Sequence, residues 1–289
     1  MEKISPSCLS TFRSCPRKYE FTYVRGRVPV AAAPALNIGL LWHKAMEVYW
    51  TAGREAAIQM LIGCAGEVDE VDVAKLVALL KHYNPPVDRY TVEGVEVEFT
   101  KQIPIPGRRA MRGVRLFGRV DLVVRDGSGN LLVVEHKTSG ADSIMGFGSY
   151  WQRLNLDTQT SLYMVGIGVG CVLYDVVKKP GLRPSKADEA VAKAHGCSVI
   201  DAYIERLSNE IAANPEEYFQ FREIVKTPED LEEALSDVRG WISALRQYRS
   251  AGFYPRNTDS CRGLFGFCPY LEVCSGSARL DDETLFRDK

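Results

Sequence analysis

Apolar positions along the 289-residue chain recur with two periods, and the change of period divides it. Near the start, Ser5 and Pro6 form an N-cap and first-turn pair. Cys8, Phe12, Cys15 and Tyr19 then follow at helical spacing, with Pro16 expected to kink or restart the helix. After the loop GRVPVAAAP, the segment IGLLWHKAMEVYWTAGREAAIQML predicts one long helix containing His43. Residues 66–90 read as helix and then loop. From about Gly94 the period shortens to two. VEVEFTKQIPI, VRLFGRVDLVVRD and LLVVEHKTS predict strands, and the GSGN between the last two predicts a hairpin turn.

The pattern then alternates. RLNLDTQTSLYMVGIG predicts a helix and CVLYDVVKKP a strand, an order that implies a crossover and a mixed sheet. Helices return through VIDAYIERLSNEIAANP, followed by a strand at YFQFREIV. A helix over TPEDLEEALSDVRGWISALRQYRSAG opens with Thr227 and Pro228, and its stop is a glycine. The predicted fold is α/β: one domain over 1–289, with a helical part (1–90), a sheet core (91–180) and a second helical part (181–289).

A net charge of −1 argues against a chain that binds nucleic acid through overall charge and confines any basic surface to a local strip. No apolar run reaches membrane-spanning length, and the N-terminus lacks a secretory pattern, so no membrane contact and a cytoplasmic location are expected. Eight cysteines in a reducing compartment read as thiols or metal ligands. Three of them, Cys261, Cys268 and Cys274, crowd a glycine-rich loop and suggest a ligand site short of one thiolate.

The chemistry concentrates in GRVDLVV and LLVVEHKTSG. Alternation along a strand puts Glu135 and Lys137 on one face, and pairing of the hairpin brings Asp121 beside Glu135. Two close carboxylates repel, and a hard divalent cation, Mg2+ or Mn2+, relieves the conflict. Lys137 then orients a water or steadies charge on a phosphate. A Glu-x-Lys triplet by itself is equally a structural salt bridge. His43 adds a nitrogen donor, and Gln159 and Tyr163, four apart on a helix, share a face.

These residues together resemble the PD-(D/E)XK nuclease superfamily. GRVDLVV…VVEHKTSG is similar to its Asp…Glu-x-Lys signature. GLLWHKAMEVY resembles the histidine motif of the RecB-like branch, QTSLY its Gln-x3-Tyr motif, and SPSCLSTFRSCPRKYEFTY its N-terminal segment. The resemblance implies a restriction-endonuclease-like core with a central mixed sheet flanked by helices. It implies that His43, Asp121, Glu135 and the backbone carbonyl of His136 bind the divalent metal. Lys137 would position or activate the attacking water, and Gln159 and Tyr163 would hold the site against the DNA backbone. It further implies that Cys15 joins Cys261, Cys268 and Cys274 around a 4Fe-4S cluster in a cysteine-clasped region joining the termini. Zinc is the alternative. The first gap, six residues between Cys261 and Cys268, departs from the commoner two.

The expected activity is a metal-dependent DNA exonuclease on single strands or ends, in a bacterial, archaeal or phage setting of repair, recombination or CRISPR adaptation. A helicase or adaptation protein is the expected partner. A non-catalytic DNA-binding or assembly subunit, and a structural zinc protein, are the rival readings. Arg108, Arg109, Arg112, Arg115 and Arg119 lead into the Asp121 strand and read as phosphate contacts or as a solvated hairpin. Arg17 and Lys18 form a second basic patch beside Cys15. Tyr19, Phe21 and Tyr23 either stack bases or belong to the core.

Overall fold

The structure is a computed structural model that describes residues 2–30, 34–86, 89–107, 109–140, 149–263 and 266–289. The chain opens with a short strand, β1 (Glu2–Ile4). Helix α1 (Pro6–Ser14) begins as the sequence predicts, the Ser5 hydroxyl accepting from Cys8 N at 3.2 Å. Pro16 restarts the chain as α2 (Pro16–Tyr19), which runs into a π-helical turn at Glu20–Val24 and strand β2 (Arg27–Pro29).

The long helix expected around His43 is two helices, α3 (Pro34–Ala52) and α4 (Arg54–Gly63). Gly53 separates them at φ 91°, a conformation that costs a residue without Cβ almost nothing. Helix α5 (Glu70–His82) is capped by the Asp69 carboxylate. Strands β3 (Tyr90–Gln102), β4 (Val114–Asp126) and β5 (Leu131–Ser139) follow. Asp126 closes the predicted β4–β5 turn by accepting from the N–H groups of Ser128 and Asn130.

The helix expected over Arg153–Gly168 is likewise divided, into α6 (Ser149–Asn155) and α7 (Thr158–Ile167). Asp157 caps α7 through Gln159 N at 2.8 Å, so the local hydrogen bond overrides the continuous apolar pattern. The remainder comprises β6 (Cys171–Lys178), α8 (Lys186–His195), α9 (Val199–Ala213), α10 (Pro215–Tyr218), β7 (Phe219–Val225) and α11 (Pro228–Ala251). The tail holds the short strands β8 (Arg262–Gly263) and β9 (Gly266–Phe267), then α12 (Leu271–Ser275) and β10 (Phe286–Asp288).

The main sheet is mixed, as expected. Its order is β1-β4-β5-β6-β7, and β3 also pairs with β4. β1 with β4 and β5 with β6 are parallel, while the other pairs are antiparallel. One apolar cluster packs α1, α7 and α11 against the sheet through residues such as Phe12, Leu162 and Ile242. A second gathers α3, α4, α5 and α9 around Trp42, Leu76 and Tyr203. Helix α5 buries seven residues, which is why its sequence is apolar nearly all round. No helix among the described residues is long and apolar enough to cross a membrane.

Helix α7 lies close on the sheet because two glycines make room for Phe99. A Cβ on Gly166 would stand 2.2 Å from the Phe99 ring, and one on Gly118 2.6 Å from it. Phe99 in turn meets Tyr163 edge-on at 6.0 Å between centroids. The packing of one aromatic ring thereby sets the height of the helix that carries Gln159 and Tyr163.

Candidate active site and cysteine cluster

Strand β4 changes partner along one edge. Val114–Leu116 pair with β1, and pairing with β5 covers Leu122–Arg125, so the strand forks at Asp121. Val120 packs in the first apolar cluster and Leu122 against Val134 in another, which shows that simple alternation of faces fails at the fork. The β3 register puts Glu96 across from Asp121, and Glu96 takes φ 51°, unusual for a residue with a side chain. In place of a backbone ladder bond, the Asp121 carboxylate accepts from His136 N at 2.9 Å.

The fork gathers the predicted residues. His43 Nδ1 lies 3.3 Å from Asp121 Oδ2. Lys137 Nζ donates to Glu135 Oε1 at 2.6 Å and to Gln159 Oε1 at 3.3 Å. Gln159 Nε2 donates to Glu135 Oε1 at 3.0 Å and to the Tyr163 hydroxyl at 2.9 Å. The salt bridge that a Glu-x-Lys triplet suggests is therefore real, but it is one edge of a larger network.

Electrostatics follow from burial. Glu135 is 1% exposed, and desolvation pushes its carboxyl up to about 7, with Lys137 pulling the other way. Burial also disfavours the charged form of Asp121, but the His43 contact outweighs it and holds this carboxyl below its ordinary value. Burial opposes the charged forms of His43 and Lys137 as well, yet Asp121 raises the first and Glu135 the second. Lys137 therefore stays an ammonium, a donor of hydrogen bonds and not a base. Among the described residues no three His, Cys, Asp or Glu side chains form a ready metal cage. Each carboxylate is paired internally, Asp121 with His43 and Glu135 with Lys137. Glu135 Oε2 is the exception, buried and without a partner, and it is the free acceptor a cation would take.

Behind the fork lies a network with no sequence signal. His136 Nδ1 and the Tyr83 hydroxyl both meet Asp175 Oδ2 at 2.6 Å, and His136 and Asp175 are 2% and 1% exposed. The triad ties α5 and β6 to the strand carrying Glu135 and Lys137. It also fixes the peptide whose N–H holds Asp121.

A cleft of about 1,070 Å³ opens on the face that carries Lys137, Gln159 and Tyr163. Its cationic walls are Arg13, Arg119 and Arg153. Of these, only Arg119 belongs to the basic run Arg108–Arg119 that leads to Asp121. Arg109 and Arg112 line a different groove with Arg246, which donates to Arg112 O at 2.6 Å. Val114 and Asp121 are seven residues apart on β4, roughly 23 Å at the usual strand rise. Arg115 Nε is buried without a partner, and Arg108 lies outside the described residues. Arg17 donates to Tyr254 O at 2.7 Å, pairs with Glu20 at 3.3 Å and sits over Phe253. Tyr19 and Phe21 are core residues, 3% and 7% exposed.

Cys15, Cys261, Cys268 and Cys274 line one small cavity of about 20 Å³, with Lys18 and Arg256 beside them. At the two ends of the six-residue gap Arg262 pairs antiparallel with Phe267 and Gly263 with Gly266, and Cys268 N donates to Cys261 O at 2.8 Å. The departure from the commoner spacing thus returns Cys268 beside Cys261. Burial, together with the neighbouring thiols, raises the Cys274 thiol. The donor set is all sulfur with two cations nearby, a chemistry that fits thiolate ligation of a soft or borderline metal, although as placed no three of these thiols form a ready metal cage. Cys8 is buried in the core, Cys197 is exposed, and Cys64 and Cys171 line strands and helices away from this cavity.

The clasp between the termini is also built from protein contacts. Asn257 Nδ2 and Ser260 Oγ both donate to Ser14 O, at 2.8 and 2.7 Å. β10 pairs antiparallel with β2, and the Tyr270 hydroxyl donates to Arg27 O at 2.8 Å.

A mixed sheet that forks at an aspartate, with a Glu-x-Lys on the neighbouring strand, is a nuclease core of the restriction-endonuclease type. The profile of the PD-(D/E)XK nuclease superfamily matches residues 3–275, and the chain belongs to that superfamily. A solved structure of a candidate exonuclease from Eubacterium rectale is similar at TM-score 0.55 and 11% identity, covering 96% of this chain and 88% of that one. The crystal structure of SSO0001 aligns at TM-score 0.36 and 16% identity, covering 84% of this chain and 76% of that one. No curated protein matches the chain in sequence.

Proposed function

We propose that the protein is a Mg2+- or Mn2+-dependent deoxyribonuclease that hydrolyses phosphodiester bonds, acting as an exonuclease on single strands or ends. The observation that carries this reading is the Glu135–Lys137–Gln159–Tyr163 network at the Asp121 fork, joined by His43. His43, Asp121, Glu135 and the His136 carbonyl are the groups that would hold the metal. When bound, the metal supplies charge neutralisation at the phosphate and a more acidic water.

The chain's own residues do the rest. Lys137 Nζ, held by Glu135 and Gln159, donates a hydrogen bond to a water or a non-bridging phosphate oxygen. Gln159 keeps that ammonium aimed, and Tyr163 fixes Gln159. Asp121 is kept ionised by His43 and stays ready to bind a cation. The Cys15, Cys261, Cys268 and Cys274 site fits a 4Fe-4S cluster or zinc, and the cluster is favoured by the RecB-like order of motifs. A helicase, recombination or adaptation protein is the natural partner, since a single-strand nuclease core needs unwound DNA.

The test is cleavage of labelled single- and double-stranded DNA with Mg2+ or Mn2+, comparing wild type with Asp121→Ala and Lys137→Ala. Cleavage by wild type and loss in both variants is the expected result. Inactive wild type in either metal overturns the nuclease reading, and activity that survives both substitutions overturns the residue roles. Visible absorbance of anaerobically purified protein separates iron–sulfur from zinc, because only iron–thiolate ligation colours the protein.

A further inference from the structure

The cleft beside Lys137 is far larger than one catalytic lysine requires, and its lining is chemically one-sided. The first two turns of α1 contribute hydroxyls such as Ser7, Ser10 and Thr11 to one wall. The α6–α7 turn forms the other wall with Arg153, Leu156 and Thr158. Four cations line the space against one carboxylate, Asp157.

Two of those cations are already neutralised. Arg119 pairs with Glu96 and Glu98 at 3.3 and 2.9 Å, and Lys137 pairs with Glu135. Arg13 and Arg153 make no ion pair among the described residues. Arg13 donates to Thr158 Oγ1 at 3.0 Å, next to Gln159, and its guanidinium lies 5.6 Å from the Trp241 ring. Uncompensated cations beside rows of hydroxyls match a phosphodiester backbone, which takes most of its hydrogen bonds from such groups.

The lip adds a second kind of contact. Leu156 is 84% exposed at the α6–α7 turn, between Arg153 and the Asp157 cap. Trp241, outside the cleft lining, is 39% exposed beneath the Arg13 guanidinium. Apolar groups at the mouth of a charged cleft find partners in unstacked base faces, which a duplex hides and a single strand offers.

We infer that the cleft between α1 and the α6–α7 turn binds a single DNA strand, with Arg13 and Arg153 on its phosphates and Leu156 against a base. The inference rests on the nuclease reading for the strand's position over Lys137, but its test does not. Anisotropy of a labelled single-stranded oligonucleotide, with no divalent metal added, measures binding without cleavage. Arg13→Ala and Arg153→Ala each weaken single-strand binding about 3–10-fold and lower the salt slope by about 0.7. Arg13→Lys keeps most of the affinity. Leu156→Ser weakens single-strand binding and leaves duplex binding unchanged. Melting temperatures equal to wild type show that these surface variants fold.

Unchanged affinity in both arginine variants, absence of binding by wild type, or an equal effect of Leu156→Ser on both DNA forms overturns the inference. If binding follows the arginines but no metal supports cleavage, the strand site stands and the nuclease reading falls. If cleavage occurs with Arg13 and Arg153 indifferent to both binding and KM, the nuclease reading stands and the strand site falls.

Discussion

The fork at Asp121 and the cysteine cavity near the termini are both convergent clusters of potential ligands, but they are held in different ways. At the fork His43, Asp121, Glu135 and Lys137 each have a protein partner, while Glu135 Oε2, His136 Nε2 and Asp175 Oδ1 are buried without one among the described residues, and the surrounding strands and helices are packed on both faces. At the cysteine cavity the local core among the described residues has three buried members, Phe21, Tyr270 and Phe286. The sulfurs make weak contacts, Cys15 accepting from Asn257 N at 3.4 Å and Cys261 reaching Asn257 O at 3.9 Å. The fork is a site that the fold builds through its own contacts, and on the proposed reading a metal would bind to groups already held in place. On the proposed reading, the clasp would gain from a thiolate-bound metal the stability that its small core lacks.

The largest expected effect separates the two. Cys268→Ala should abolish most soluble, cooperatively melting protein, because a structural thiolate-bound metal contributes on the order of 10 kcal/mol or more. Purified variant with wild-type melting and metal content would erase the contrast. Lys137→Ala should do the reverse, lowering cleavage about 10²–10³-fold, the usual loss of one charge-stabilising donor, with little change in melting. The stability cost stays small because the buried Glu135 carboxyl, relieved of the lysine that pulls its pKa down, can take up a proton instead of standing as an unpaired charge. Cleavage rate and calorimetry on the same preparation check both halves.

Gly166→Ala sharpens the comparison from the packing side. The new methyl meets Phe99 at 2.2 Å, so about 1–3 kcal/mol of stability should be lost as α7 is forced from the sheet. Cleavage should fall with it through Gln159 and Tyr163, while the metal content of the cysteine site stays at wild type. Denaturant melts with parallel metal analysis would show whether the two regions are independent.

The smallest effect belongs to neither region. Asp188, bound by Arg206 at 2.7 Å between α8 and α9, has its carboxyl lowered to about 2. Its folded value lies below the unfolded one of about 3.9, so its contribution is present above about pH 4. That contribution is lost as the pH falls through 2. The melting difference between wild type and Asp188→Asn should therefore shrink between pH 4 and pH 2 and be constant above. A difference that widens on acidification would contradict the assignment.

Much of this molecule was legible in the order of its residues. The strands, the GSGN turn, the Ser5 and Thr227 caps and the face shared by Gln159 and Tyr163 depend on neighbours within a few positions, where periodicity and capping chemistry act. The breaks at Gly53 and Asp157 were also local, but each was a single polar or glycine signal inside a longer apolar pattern, and the pattern concealed it. The motifs His43, Asp121, Glu135-x-Lys137 and Gln159 were readable because each sits on its own regular element.

Tertiary structure alone decided the rest. Tyr83 and Asp175 are 92 residues apart, and neither has a neighbour in sequence that announces a partner for His136. The fork at Asp121 arises because β4 serves two partners on one edge, which depends on β1 and β5 arriving together. The cleft took Arg13 and Arg153 and left Arg109 and Arg112 at a separate groove, since sheet direction and helix docking, and not charge density along the chain, set which cations face Lys137. Cys15 and Cys261 meet because the tail returns across the N-terminal helix on contacts such as Ser260 to Ser14. Short-range chemistry determines which elements and motifs exist. The closure of long loops, governed by packing over the whole molecule, determines which of them meet.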